Sequence, residues 1–469
     1  MRISRLLLAS IFLPLLAGCG SSDNNQVAEG GIGGTGVSQG KVSGYGSIFV
    51  NGVEFDTDSA VFVIEEEQKD SYTQDDIKLG MVVKVSGDND GTNGTASKVE
   101  YSDLVDGIIT APPQLDANGV GTLEVMGQTV HVDRTTVFDV ANGQDILIGD
   151  LVADDIVEVS GFSDGSGTIY ATRVEFKGPT GSMELKGIVS DLTVSTFSIG
   201  NLTIDYSQDP SLPDGAPQAG WYVEVTGKEF TTSGDFLATE VALEGDGDLL
   251  VANDDDQVEL EGVVTTPLYG DIFTLNGQPV SVANITLDTA QIVVGRELTA
   301  AGDMLDGTLI ATAIEFEASE SELQEIASKA MEITAVELNS GTLTLLGRSI
   351  TVTSSTVMED ESAGGDDQTF NLNEILVDEY VKVDVYDDGS GLVAVKLERD
   401  DTPDPLTHEI EGVVEAVNVG LNADRILVLG IEVDIFATGK QPAVGDRVKI
   451  SGEDYDGDVL WALSLEVDD

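Results

Sequence analysis

The chain has 469 residues, with 85 Asp and Glu against 22 Lys and Arg, two His and one Cys, for a formal net charge of -63. Hydrophobic residues make up 41%, too many for a disordered chain, and the length calls for several domains. The charge argues against nucleic acid as a partner, because phosphate binding is driven by Lys and Arg releasing counterions, and a single Cys excludes a disulfide framework, an iron–sulfur cluster and a multi-cysteine zinc site.

Residues 1–18 read as a secretion signal. Arg2 and Arg5 precede an apolar run from Leu6 to Leu16, broken by Pro14, which is shorter than the roughly 20 residues a spanning helix needs. The run ends in Leu16-Ala17-Gly18-Cys19, which resembles the lipobox of bacterial lipoproteins. The resemblance implies cleavage before Cys19, lipidation of its sulfur and a membrane as partner; more than one acyl chain makes such an anchor stable. Gly20 in place of Asp after the Cys implies the outer membrane as destination. An ordinary signal peptide that happens to contain a Cys is the alternative. Residues 19–39, with Gly30-Gly31-Ile32-Gly33-Gly34-Thr35-Gly36, hold few apolar groups and read as a flexible tether.

Beyond the tether the chain repeats itself. An alternating strand recurs as Val83-Lys-Val85-Ser-Gly87, Val157-Glu-Val159-Ser-Gly161, Val223-Glu-Val225-Thr-Gly227, Leu298-Thr-Ala300-Ala-Gly302, Val381-Lys-Val383-Asp-Val385 and Val448-Lys-Ile450-Ser-Gly452. Before each anchor lies a hairpin built on a Gly, at Gly52, Gly127, Gly200, Gly277, Gly347 and Gly430. After each anchor come a turn and a strand bearing an Ala/apolar pair, from Ala96/Val99 to Ala462/Leu465. Period-two alternation marks half-buried strands. The reading is all-β: about six small antiparallel barrels, OB-like or SH3-like, at 40–101, 103–177, 183–245, 257–318, 325–399 and 407–469. The fifth is degenerate, with Val385 where the others carry Gly. Only Ser321 to Met331 has helical character and reads as a short linking helix, a strand extension being the alternative. Closure into barrels removes sheet edges, but modules this small bury marginal cores, so contacts between neighbours matter.

The Gly-rich tether followed by Gly44-Tyr45-Gly46-Ser47-Ile48-Phe49-Val50-Asn51-Gly52-Val53 resembles lipoproteins carrying tandem copies of domain of unknown function 5666. The resemblance implies an envelope address and supplies no catalytic residues.

Candidate chemistry is sparse. Acidic turns recur behind the anchors, among them Asp88-Asn-Asp90-Gly91 and Asp454-Tyr-Asp456-Gly457-Asp458, and clustered carboxylates suit weak calcium binding. They miss the EF-hand spacing, with Asn93 and Val99 at its Gly and Glu positions, and Asp-Gly is also an ordinary hairpin turn. His131 and His408 lie far apart and read as surface strand residues. Trp461 aligns with apolar residues and reads as core, whereas Trp221 aligns with polar ones and is the better ligand-stacking candidate, packing being its other reading. With 85 acids any catalytic pair can be found, and repetition argues against one assembled active site. The chain therefore reads as a non-enzymatic, lipid-anchored envelope protein without cofactor, a spacer or binding surface whose partner is an envelope polysaccharide or a protein. A calcium-dependent adhesion or glycan-binding protein is the second reading, and an envelope glycoside hydrolase the third.

Overall fold

The computed structural model describes residues 34–469 apart from 45, 66, 70, 117, 141–145, 179–180, 182, 245–251, 253–255, 337–338, 363–369, 422 and 468–469. Cys19 and the signal lie outside the described residues. Six units follow one plan, seen most simply in the sixth. Its strands His408–Val417, Arg425–Val428, Ile431–Asp434, Arg447–Tyr455 and Val459–Val467 close a ring in the order 1-2-3-5-4-1, with the third and fifth strands parallel and every other pair antiparallel. This connectivity resolves the choice in favour of an OB-type barrel. In the third unit the ring closes through a bridge between Ser190 and Ser198. In the fifth the first strand is broken into Gln324–Lys329 and Glu332–Ala335, which is where its sequence departs from the repeat. Within Ser321 to Met331, Gln324–Lys329 is thus strand, the alternative reading, and not helix. Two neighbours, Tyr380–Asp387 and His408–Val417, flank Gln324–Lys329 and capture its backbone groups, which outweighs local propensity.

The recurring Gly has a structural cause. At Gly87, Gly161, Gly227, Gly302 and Gly452 the pairing of the fourth and fifth strands shifts register, as it does at a β-bulge. A Cβ at any of these would collide with the partner strand's carbonyl oxygen. The fifth unit keeps the register shift and carries Val385 there.

The units do not hang as beads. They share three sheets, pairing first with fourth, second with third, and fifth with sixth. The first strand begins at Gly34, inside the stretch read as tether, and Gly36–Gln39 runs parallel to Gln257–Leu260 of the fourth unit. Gly36 permits this approach, since a Cβ there would meet the Gln257 carbonyl. One continuous apolar core runs through the fifth and sixth units, and another through the second and third. Sharing a core answers the marginal burial of a single module in these two pairs, whereas the first and fourth units keep separate cores and join through their parallel strands.

Basic side chains tie the pairs together. Arg134 of the second unit donates to Asp384 of the fifth at 3.2 Å and to Glu411 of the sixth at 2.5 Å. Lys186 of the third reaches Glu65 of the first at 2.6 Å, and Lys41 of the first sits 2.7 Å from both Glu261 and Glu297 of the fourth. All three cations are largely removed from solvent.

Candidate functional site

The barrels are filled by their own side chains, and a sizeable opening lies between units. A cleft of about 560 Å³ is enclosed by the first, fourth and fifth units. Its floor is the outer face of the fourth barrel. Along the strand Gln257–Tyr269, Val258 and Leu260 turn into the core, so Glu259 and Glu261 turn outward by the period of two. Glu259 pairs with Ala301 and Glu261 with Thr299 on the next strand, and these pair with Ala313 and Glu315 on the one after. The floor is therefore a trough of small side chains with carboxyl groups at its ends. Glu317 and Glu54 extend the acidic rim. The opposite wall is the outer face of the fifth barrel, with Thr342, Thr351, Thr353, Val393 and Tyr386, and Phe49 and Asn51 of the first unit close one end.

Lys41 is the one basic residue among the described lining, and Glu261 and Glu297 hold it. Glu259 is different. It is 8% exposed and its Oε2 accepts no hydrogen bond. Burial, with Glu315 and Glu261 nearby, pushes its carboxyl up to about 8, against the pull of Ser38. Burial and Glu317 push Glu315 up to about 7. Burial likewise raises Glu297 to about 7, although Lys41 opposes it, and burial beside Glu315 and Glu317 lifts the Tyr386 hydroxyl to about 12. Burial thus keeps protons near neutrality on Glu259 and Glu315 of the floor.

A second acidic cluster lies where the first three units meet. Carboxylate oxygens of Glu65, Asp103 and Glu184 fall within 4.8 Å of one another, as do those of Asp103, Asp106 and Glu158. The Lys186 ammonium occupies the first group, at 2.6 Å from Glu65 and 3.0 Å from Glu184. Burial pushes Asp106 up to about 7.

The residues singled out by sequence fall elsewhere. Asp90 accepts from the Asn93 amide at 2.7 Å and the Thr92 amide at 3.1 Å, bonds that hold it below the usual carboxylate range. Asp456 does the same for Val459 and Asp458, again lowering its pKa. Asp88, Asp454 and Asp458 are exposed beside them. Among the described residues, neither turn forms a group of three converging carboxylates. The turn acids are engaged in shaping their own hairpins. Trp221 packs against the core of the second and third units, as its packing reading expects, while Trp461, read as core, stands 37% exposed on the last strand. His131 is exposed and stacks on Tyr170 with ring centroids 5.1 Å apart. His408 is not a surface residue. It is buried, with Nδ1 2.9 Å from the Ser328 hydroxyl, because the fifth unit's first strand lies over it, and burial and Lys329 lower its pKa.

Sequence reasoning missed Glu259 and Glu315 because alternate acids on a strand read as solvated. One signal was present. The residue just before the Gly of the first strand is charged in four copies, as Asp106, Lys186, Glu261 and Glu411, and all four lie at junctions between units.

No curated protein matches the chain at a significant level. The family model for domain of unknown function DUF5666 matches residues 37–100, 106–175, 186–242 and 332–398, which are the first, second, third and fifth units. The degenerate fifth copy is among them, and the first match starts at Val37, in the strand that replaces the end of the expected tether. These matches cover more than half of the chain, which belongs to the DUF5666 family.

Proposed function

We propose that the chain is a non-enzymatic binding protein of the bacterial envelope, lipid-anchored through Cys19 to the outer membrane, with its ligand site in the cleft between the first, fourth and fifth units. The observation that carries the reading is the folding-back of the array: units distant in sequence enclose one cleft lined by polar groups and apolar patches, the usual make-up of a small-molecule site. An extended spacer gains nothing from pairing its first unit with its fourth. A hydrolase needs one protonated and one ionised carboxyl group at the scissile bond. Here Glu259 and Glu315 are both pushed up, and Glu261 is taken by Lys41.

Two measurements test this. Replacing Cys19 by Ser is expected to move the chain from the membrane fraction to the soluble one; continued retention would overturn the anchor. Thermal melts of the full chain against amines, envelope saccharides and calcium are expected to show a saturable rise with one class, since a ligand bound only by the folded state stabilises it. A melt unmoved by every class would remove the binding reading.

A further inference from the structure

We propose that the cleft takes a small linear di- or polyamine, with one ammonium group on Glu259, another at Glu315, and the aliphatic chain lying in the trough between them. The proposal rests on the binding role assigned above to the same cleft and names its ligand class.

Three observations lead to it. The first is the unpartnered oxygen: Glu259 Oε2 is buried, lines the cleft and accepts no hydrogen bond. A buried acceptor without a donor costs about 1–3 kcal/mol, more when charged, so the site favours a ligand that brings N–H groups and positive charge. Burial and the neighbouring Glu315 and Glu261 keep a proton on it near neutrality. An arriving ammonium group displaces that proton and forms a charge-assisted bond in a partly dry setting.

The second is spacing. Glu259 and Glu315 stand two strands apart on the floor, across Ala301 and Ala313 in one row and Thr299 in the next. Neighbouring strands lie about 4.8 Å apart, so the two outer strands are roughly 10 Å apart at the backbone. A metal ion needs several oxygens converging on it at about 2.0–2.6 Å. Among the described residues, converging carboxylate triads occur only at the other junction, around Asp103. A chain of methylene groups bridges such a gap, and the small side chains of Ala301, Ala313 and Thr299 leave a groove for it. Val393 and Tyr386 cover the groove from the fifth unit.

The third is how the protein treats its own amines. Within the lining of this cleft it seats Lys41, and at the junction of the first three units Lys186, among two carboxylates each at 2.6–3.0 Å. The floor of the cleft repeats that pattern around Glu259 with the cation missing.

Spermidine is the probe, titrated by calorimetry into the full chain in detergent micelles near neutral pH and about 0.15 M salt, in two buffers of different ionisation enthalpy. The expected result is one saturable site that releases a proton. Glu259→Gln is expected to weaken it at least tenfold and to reduce the release to the smaller share that comes from Glu315, while Asp454→Asn, on an outer turn, leaves it unchanged. A chain this acidic also gathers polyamines loosely. Binding of several spermidine molecules that fades with salt and ignores Glu259→Gln would overturn the proposal. So would calcium or a neutral saccharide binding in its place with the same dependence on Glu259, which removes the amine while leaving the cleft a binding site. If none of the three binds, the binding reading itself falls.

Discussion

Glu259→Gln should make the protein more stable, and by an amount set by pH. The side chain is 8% exposed, and its carboxyl is raised from 4.5 to about 8 chiefly by burial, then by Glu315 and Glu261. An acid whose pKa rises on folding binds a proton in the native state that the unfolded chain has already shed. Its contribution therefore falls as pH climbs from about 4.5 to about 8 and is flat outside that window. Each unit is worth about 1.4 kcal/mol, so near pH 7.5 the wild-type carboxyl costs up to about 4 kcal/mol, and near pH 5 under about 1 kcal/mol. Gln keeps the shape and carries no such cost. Relaxation and water entry reduce the ideal figure, so a gain of about 2–4 kcal/mol near pH 7.5 is expected, shrinking toward zero near pH 5. At about 2–4 °C per kcal/mol, calorimetric scans should place the variant's transition roughly 4–16 °C higher at the upper pH. A gain of equal size at every pH, or a loss near pH 7.5, would show that Glu259 is ionised and satisfied, and the reading of the cleft floor would fail. A binding residue that destabilises its own fold is a known trade between stability and function.

Other perturbations test the architecture. Arg134→Met leaves Asp384 and Glu411 buried without their shared guanidinium and should cost about 3–5 kcal/mol, read as a lower urea midpoint; a loss below about 1 kcal/mol would show the junction to be dispensable. Gly36→Val should break the parallel pairing with Gln257–Leu260, seen as faster hydrogen exchange over 36–39 and 257–260, and unchanged protection there would refute it. Trp221→Ala should lower the melting temperature more than Trp461→Ala, because only Trp221 packs against a core; the reverse order would contradict the packing.

How far the sequence speaks depends on whether a feature is local. Strand alternation, the hairpin Gly and the bulge Gly act within one unit and leave their mark in six copies, so the barrel could be read from them. Even the break in the fifth copy, Ala330-Met-Glu-Ile333 and Val385, corresponds to a broken first strand and a bulge without Gly. The segment Ser321 to Met331 misled because its partners, around Val383 and Ile410, lie far along the chain. The cleft was hidden for the same reason. Glu259 has the same polar alternation as the exposed Glu240, and only the fifth unit's position separates them. Trp461 was misplaced in the core because aligning copies assumes equal surroundings, which the pairing of units denies.

The parallel seam between the first and fourth units sets the order in which the protein can be finished. Gly36 meets Gln257, which is made 221 residues later. At about 5–20 residues per second, that is a delay of roughly 10–45 s during which the first barrel carries a bare strand edge. The second and third units can complete their sheet in the meantime, so assembly runs from the middle of the chain outward and then back to its beginning. Copies so placed are not interchangeable. Deleting the fourth shortens the array by one barrel and leaves the first strand without its parallel partner, so the repeat counts as six in sequence but as three in sheets.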